Sequence, residues 1–173
     1  MSAQTAADLS LLVMRVGLGT VFVAHGYNHI FGGGKIAGTA RWFESLGMRP
    51  GILHAWFASL TELGSGMLLF AGLLTPLACA GVVGTMLVAL ITNHLRNGFF
   101  IFRPGEGYEY VVFLTLAAIG VSGIGAGEWS LDHAAGIFDP AGWAGLAITL
   151  IAGIGGAAGL LAVFWRPRRT VAA

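Results

Sequence analysis

Glu62 is the lone carboxylate within WFASLTELGSGMLLFAGLL, a stretch otherwise apolar enough to cross a bilayer. An ionisable side chain at that depth is costly in hydrocarbon, so it faces a bundle interior, a cavity or a partner. It sits about eight residues into its span, ~12 Å at the helical rise, beyond the reach of a short side chain to the interface. Arg15 lies about six residues into the preceding span, and antiparallel packing would bring it toward the same depth. Three readings stay open. Arg15 and Glu62 form a structural polar pair that fixes helix register; Glu62 faces a ligand cavity and exchanges a proton or accepts a hydrogen bond; or Glu62 is an unpaired, neutral carboxyl.

A second polar set collects at the ends of four apolar stretches. It comprises His25, Asn28 and His29, then His54, then Asn93, His94, Arg96 and Asn97, then Tyr108, Glu109 and Tyr110. His25 and His29 are four apart and share a helix face. The set reads as a capping and interfacial anchoring network. A second reading is a quinone or similar head-group site, with His25, His29, His94 and Tyr108 as binding candidates and Glu62 and Glu109 as candidate proton relays. A haem or metal site using His25 or His29 with His94 is the third reading. It is the weakest, because axial histidines normally sit deeper in a bundle and no cysteine supports them. No metal ligand set is assigned.

These residues are carried by five apolar stretches, at 9–30, 54–74, 76–95, 108–127 and 142–165. Each is close to the ~20 residues that span ~30 Å of hydrocarbon. A hydrophobic content of 56%, a charged content of 10% and a mean hydropathy of +0.80 place the chain among membrane proteins. With no long polar stretch to build a separate core, residues 1–173 form a single membrane domain. The amino-terminal MSAQTAADLS has no positive charge and leads to no small-residue cleavage site, so it does not read as a signal peptide; Asp8 or Ser10 is placed to cap the first helix.

Loop charge gives an orientation. Lys35, Arg41 and Arg49, then Arg96 and Arg103, then Arg166, Arg168 and Arg169 fall on one side of a five-span chain, whereas Glu128, Asp132 and Asp139 fall on the other. Lys and Arg gather on the cytoplasmic side, so the amino terminus is expected outside and the carboxy terminus inside. No basic stripe or nucleic-acid motif is present.

The connection FGGGKIAGTARWFESLGMRPG opens on a glycine hinge at Gly32, Gly33 and Gly34 and stops at Gly47 and Pro50. It predicts a short interfacial helix capped by Thr39, with Trp42, Phe43 and Leu46 on one face. GGGK lacks the spacing and hydroxyl residue of a phosphate loop. Gly123 with Gly127, and Gly155 with Gly159, are four-residue pairs that predict helix contact faces, with self-association or partner docking as the further reading. Cys79, the one cysteine of the chain, lies in the third stretch, which excludes a disulfide framework and a dithiol redox pair. There is no transporter-type internal repeat.

The strings LLVMRVGLGTVFVAHGYNHIFGG, TARWFESLGM, ASLTELGSGMLLFAGLLTPLA, NGFF, GYEYVVFLTLAA and GAGEWSLD, in this order, resemble the DoxX family of small bacterial membrane proteins. The likeness runs from Leu11 to Asp132. It implies an all-α polytopic bundle with a four-helix core over 9–132, and a role for some members as subunits of quinone-linked or other membrane oxidoreductases. Arg15, His25 with Gly26, Glu62, Asn97 to Phe99, Tyr108 to Tyr110 and Ser130 to Asp132 match the family's pattern. His29 stands where relatives commonly have lysine, so an anion or carbonyl held there would depend on imidazole charge. The stretch 142–165 is an addition and reads as a fifth transmembrane helix.

The functional expectation is an accessory subunit of a quinone-linked oxidoreductase or respiratory system in the bacterial cytoplasmic membrane. His25 or His94 would donate to the head-group oxygen, and Glu62 or Glu109 would relay protons. The chain has no redox couple of its own, so electrons would come from a membrane or redox protein partner. A non-enzymatic scaffold or assembly factor is the alternative.

Overall fold

The computed structural model describes residues 2–136 and 140–167. Asp139, Arg168 and Arg169 of the orientation argument lie outside them. The described chain is all-helical: α1 (Ala3–Phe31), α2 (Lys35–Ser45), α3 (Gly51–Ala71), α4 (Thr75–Ala89), α5 (Glu109–Ile124), α6 (Leu131–Ala135) and α7 (Gly142–Phe164). α4 continues through one π-helical turn, Leu90–His94, and one 3-10 turn, Leu95–Asn97.

Three of these helices, Ala3–Phe31, Thr75–Asn97 and Gly142–Phe164, are long and apolar enough to cross a membrane. α3 has the length, at 21 residues, but His54, Ser59, Thr61, Glu62 and Ser65 dilute its apolar character. α5 is apolar and has 16 residues. The protein is thus a multi-spanning helical bundle with three clear candidate spans.

α1 starts earlier than its apolar run. Ser2 caps it, accepting from the Thr5 backbone N–H at 3.0 Å, so Asp8 and Ser10 lie inside the helix and do not cap it. α3 begins at Gly51, after Pro50, and closes at Gly72, whose φ of 63° is left-handed. A Cβ at Gly72 would also collide with the Arg15 guanidinium, so glycine is required twice over. α2 starts at Lys35; Thr39 is within it, its hydroxyl donating to the carbonyls of His29 and Lys35 instead of capping. Phe43 of α2 is buried while Trp42 is exposed.

α1 and α3 run antiparallel in close contact. A Cβ on Gly19 would lie 2.8 Å from the Gly66 carbonyl oxygen, and one on Gly26 would lie 2.9 Å from that of Ser59. The core fills the space between them and α4 and α5, with Phe22, Leu69, Val82, Val83, Leu114 and Ala118 almost fully buried.

α7 packs chiefly on α4 and then α5. Thr149 donates to the Pro76 carbonyl at 2.9 Å, and Gly153 lets the helix approach Ala80 and Val83. At its far end the chain clasps the α2–α3 turn: the Arg166 N–H donates to the Gly47 carbonyl at 2.8 Å, and the Trp165 indole donates to the Leu46 carbonyl at 3.0 Å. Gly155 and Gly159 have open space where a Cβ would stand, so this pair does not form a contact within the chain. Gly123 does meet Leu146 of α7, whereas Gly127 serves a turn beside Asp8 and Leu11.

Candidate functional site

The α1–α3 register separates the buried polar residues into two groups at opposite ends of the bundle. Glu62 lies close to the level of Gly26, whereas Arg15 lies against Gly72. The two are about ten residues apart along the bundle, ~15 Å. The Arg15–Glu62 pair expected from nominal depth therefore does not form.

Arg15 is fully buried and belongs to the end where α3 turns into α4, donating to the carbonyls of Trp129 at 2.6 Å and Leu69 at 3.3 Å. Asp8 accepts from the Glu128 N–H at 3.0 Å. Asp132 accepts from the N–H groups of Leu74 at 2.9 Å and Thr75 at 3.2 Å, at the start of α4. These contacts tie the segment 126–132 back onto α1 and α4. They satisfy backbone donors and carbonyls, so the group is structural.

The other end contains a cavity of ≈ 980 Å³ lined by all five long helices. α4 supplies its floor with small residues, including Ala80, Gly81 and Gly84. Leu53 and Phe57 of α3 and Gly156 and Leu160 of α7 form facing walls. Against this apolar lining stand His25, His29, His54, Glu62, His94, Glu106 and Tyr110. The large apolar volume with a few convergent polar groups is the form of a small-molecule site, and its size is at the upper end of the usual ~300–1,000 Å³.

His29 Nδ1 lies 3.1 Å from Glu62 Oε2, and Glu62 is almost fully buried. Neither atom has a well-formed hydrogen bond to another group, and the buried His54 Nε2 also has none. Unsatisfied buried polar atoms are costly, and the three residues that carry them here all line the one cavity. Phe164 of α7 stands edge-on to His54 with ring centroids 5.0 Å apart, which makes the added helix part of the wall.

His94 is brought to the cavity by the π-helical turn, a distortion that re-aims side chains and recurs at functional positions. Its Nδ1 lies 2.9 Å from the Glu106 carbonyl oxygen and its Nε2 lies 3.3 Å from the Asn93 amide. His25 is exposed on α1 with its ring 6.4 Å from that of Tyr110. Tyr108 and Glu109 are not on the lining. Tyr108 packs edge-on to Phe99, and the Glu109 carboxylate accepts the Ile101 N–H at 3.0 Å, holding the 98–107 loop.

The structure thus brings His25, His29, Glu62 and His94 together and leaves Tyr108 and Glu109 beside them as loop anchors. His54, Thr61, Glu106 and Tyr110 join the lining without having been singled out as site residues. For His54 a signal was available: it lies eight residues, or two turns plus a little, before Glu62 on one helix, so both can face one way. Among the described residues no three His, Cys, Asp or Glu converge as a metal set, and Cys79 is buried and unpaired with another cysteine.

This architecture defines a multi-pass all-α membrane protein with an internal cavity at one end. The pattern of the DoxX family matches residues 10–95, and over those residues the chain belongs to that family. The match runs from Ser10 within α1 through the π-helical turn; the first residues of α1, and α5, α6 and α7, lie beyond it. A protein of Bacillus subtilis (strain 168) named "Putative oxidoreductase CatD" is 28% identical over 116 residues, covering 67% of this chain and 81% of that protein. No solved structure matches the chain. Family and distant relative are consistent with a general redox-linked role in a membrane.

Proposed function

We propose that the protein is an integral-membrane accessory subunit of a quinone-linked oxidoreductase or respiratory system, and that the cavity is its quinone or head-group pocket. The observation that carries this reading is the juxtaposed His29 and Glu62, with His54 and its unpartnered Nε2, on the wall of a largely apolar ≈ 980 Å³ cavity. The volume suits an aromatic head with part of a hydrocarbon tail. The small-residue floor of α4, between walls from α3 and α7, suits the tail. The imidazoles at the other end suit the head.

A bound quinone would supply two-electron, two-proton redox chemistry. This chain's residues bind and move protons: His25 offers an N–H donor and His54 its unpartnered Nε2 to the head group, His94, its nitrogens engaged by Glu106 and Asn93, holds the wall beside them, and Glu62 holds a proton or takes one up. Tyr108 and Glu109 position the loop that carries Glu106 over the cavity. The partner supplies the electrons, because the chain's own side chains include no redox couple.

In this reading all five long helices cross the bacterial cytoplasmic membrane, with α3 tolerating its polar residues because they face the cavity. Lys35, Arg41, Arg49, Arg96, Arg103 and Arg166 share the end that holds the histidines, which supports a cytoplasmic position for that end and for the carboxy terminus. Trp42 on the wall provides the test: a short-tailed quinone titrated into the solubilised protein quenches tryptophan fluorescence saturably, and Glu62→Gln weakens the binding by about tenfold at unchanged folded yield. Equal binding by the variant removes Glu62 from the site.

A further inference from the structure

The glycine run Gly32–Gly33–Gly34, which the pocket reading leaves unused, lines a second and shallower depression of ≈ 400 Å³. Asn28, Gly38, Thr39 and Trp42 complete it, together with His29. His29 therefore lines both the surface depression and the interior cavity. Its Nδ1 is buried against Glu62 Oε2 at 3.1 Å, yet the side chain as a whole retains 17% exposure, so the open part of the ring is away from Glu62. The glycines keep the depression that His29 lines open: a Cβ at Gly33 would meet nothing within 4 Å, and one at Gly38 only the Arg41 guanidinium at 3.8 Å.

We propose that His29 is the proton gate of the cavity, passing protons between Glu62 and water in the glycine-lined depression. The carboxyl of Glu62 gives its proton to Nδ1 as the ring releases the proton of its other nitrogen to water; the reverse reloads Glu62. One proton moves and no electron does. The titratable and charged groups around His29 are Glu62 and His54 from α3, His25 one turn earlier on α1, and Lys35 and Arg41 of α2. Arg41 lies at the rim, its guanidinium within 4 Å of positions 34 and 38. Water thus reaches His29 from the basic end without passing through the apolar cavity. The role extends the pocket reading by giving the cavity a proton path, and it is tested without quinone.

The experiment is infrared difference spectroscopy of the quinone-free, solubilised protein after photorelease of protons, following the carboxyl band that Glu62→Gln abolishes. His29→Phe is expected to slow that band's response by about 100-fold, the scale of a lost acid–base relay. Added imidazole is expected to restore the rate in His29→Gly. Gly38→Leu separates the gate from a structural role. A Cβ at Gly38 has open space apart from the Arg41 guanidinium at 3.8 Å, and leucine favours helix, so the variant folds while filling the depression. It is expected to slow the response with His29 and Glu62 intact. A wild-type protein with no Glu62 band, or rates within about twofold of wild type in His29→Phe and Gly38→Leu, overturns the proposal. Absence of quinone binding with a normal gated band would instead sink the pocket reading alone.

Discussion

Replacing Asp132 by alanine tests whether the two polar ends of the bundle have different jobs. The carboxylate is fully buried, its Oδ1 2.9 Å from the Leu74 N–H and its Oδ2 3.2 Å from that of Thr75 and 3.3 Å from the Thr75 hydroxyl. Removing it strips the capping interaction from the start of α4, worth ~1 kcal/mol, and leaves the buried Thr75 donor without an acceptor, worth ~1–3 kcal/mol. Relief from burying a charge returns part of this, which leaves a net loss of about 2 kcal/mol. For a chain of this length that lowers the melting temperature by about 4–8 °C. The Thr75 end of α4 is eighteen residues, ~27 Å along the helix, from Asn93 at the head-group end, and only the tail floor from Leu77 and Ala80 comes near it, so binding of a short-tailed quinone per folded molecule is expected to stay at the wild-type level. Thermal unfolding in mild detergent, read by circular dichroism and paired with quinone titration, checks both halves. Melting within about 2 °C of wild type would refute the capping argument, and loss of quinone binding by the folded variant would refute the division between the ends.

Gly26→Val, with Gly64→Ala as its control, and His94→Ala probe the elements that shape the cavity. Gly26→Val places a branched side chain where even a Cβ lies 2.9 Å from the Ser59 carbonyl oxygen and 3.0 Å from the Leu63 nitrogen, so folded yield should fall sharply; Gly64→Ala, where a Cβ meets nothing within 4 Å, should express normally by the same size-exclusion assay. His94→Ala removes the Nδ1 contact to the Glu106 carbonyl at 2.9 Å and should loosen the 98–107 loop, which faster cleavage after Glu106 by a glutamyl endopeptidase would register.

The membrane bundle was legible because runs of apolar residues report directly on helices that face lipid. α7, expected at 142–165, runs from Gly142 to Phe164. Boundaries that depend on polar residues were less legible. α1 begins at Ala3, not near Leu9, because AQTAADL is polar yet forms helix behind a serine cap. Shared depth grouped His25, His29 and His94 at one end, where all three line one cavity, whereas it set Glu62, which lines the same cavity, apart from them with Arg15.

The pairing inside the cluster was not legible, because it depends on helix register. Nominal depth matched Arg15 with Glu62, whereas the close crossings at Gly19–Gly66 and Gly26–Ser59 shift Arg15 toward Trp129 and leave His29 as the neighbour of Glu62. The cavity itself was also hidden. It exists because α7 leans on α4 and clasps the α2–α3 turn, an arrangement set by Gly47, Gly153 and Trp165 rather than by any hydropathy pattern.

The most direct test of the cavity's role is to purify the protein gently from its own membrane and quantify extracted quinone per folded chain, with Glu62→Gln purified in parallel. The account predicts near-stoichiometric quinone in the wild-type protein and a marked loss in the variant at equal folded yield. Wild-type protein that folds, retains its partners and contains no quinone would contradict it and favour a scaffold role for the bundle.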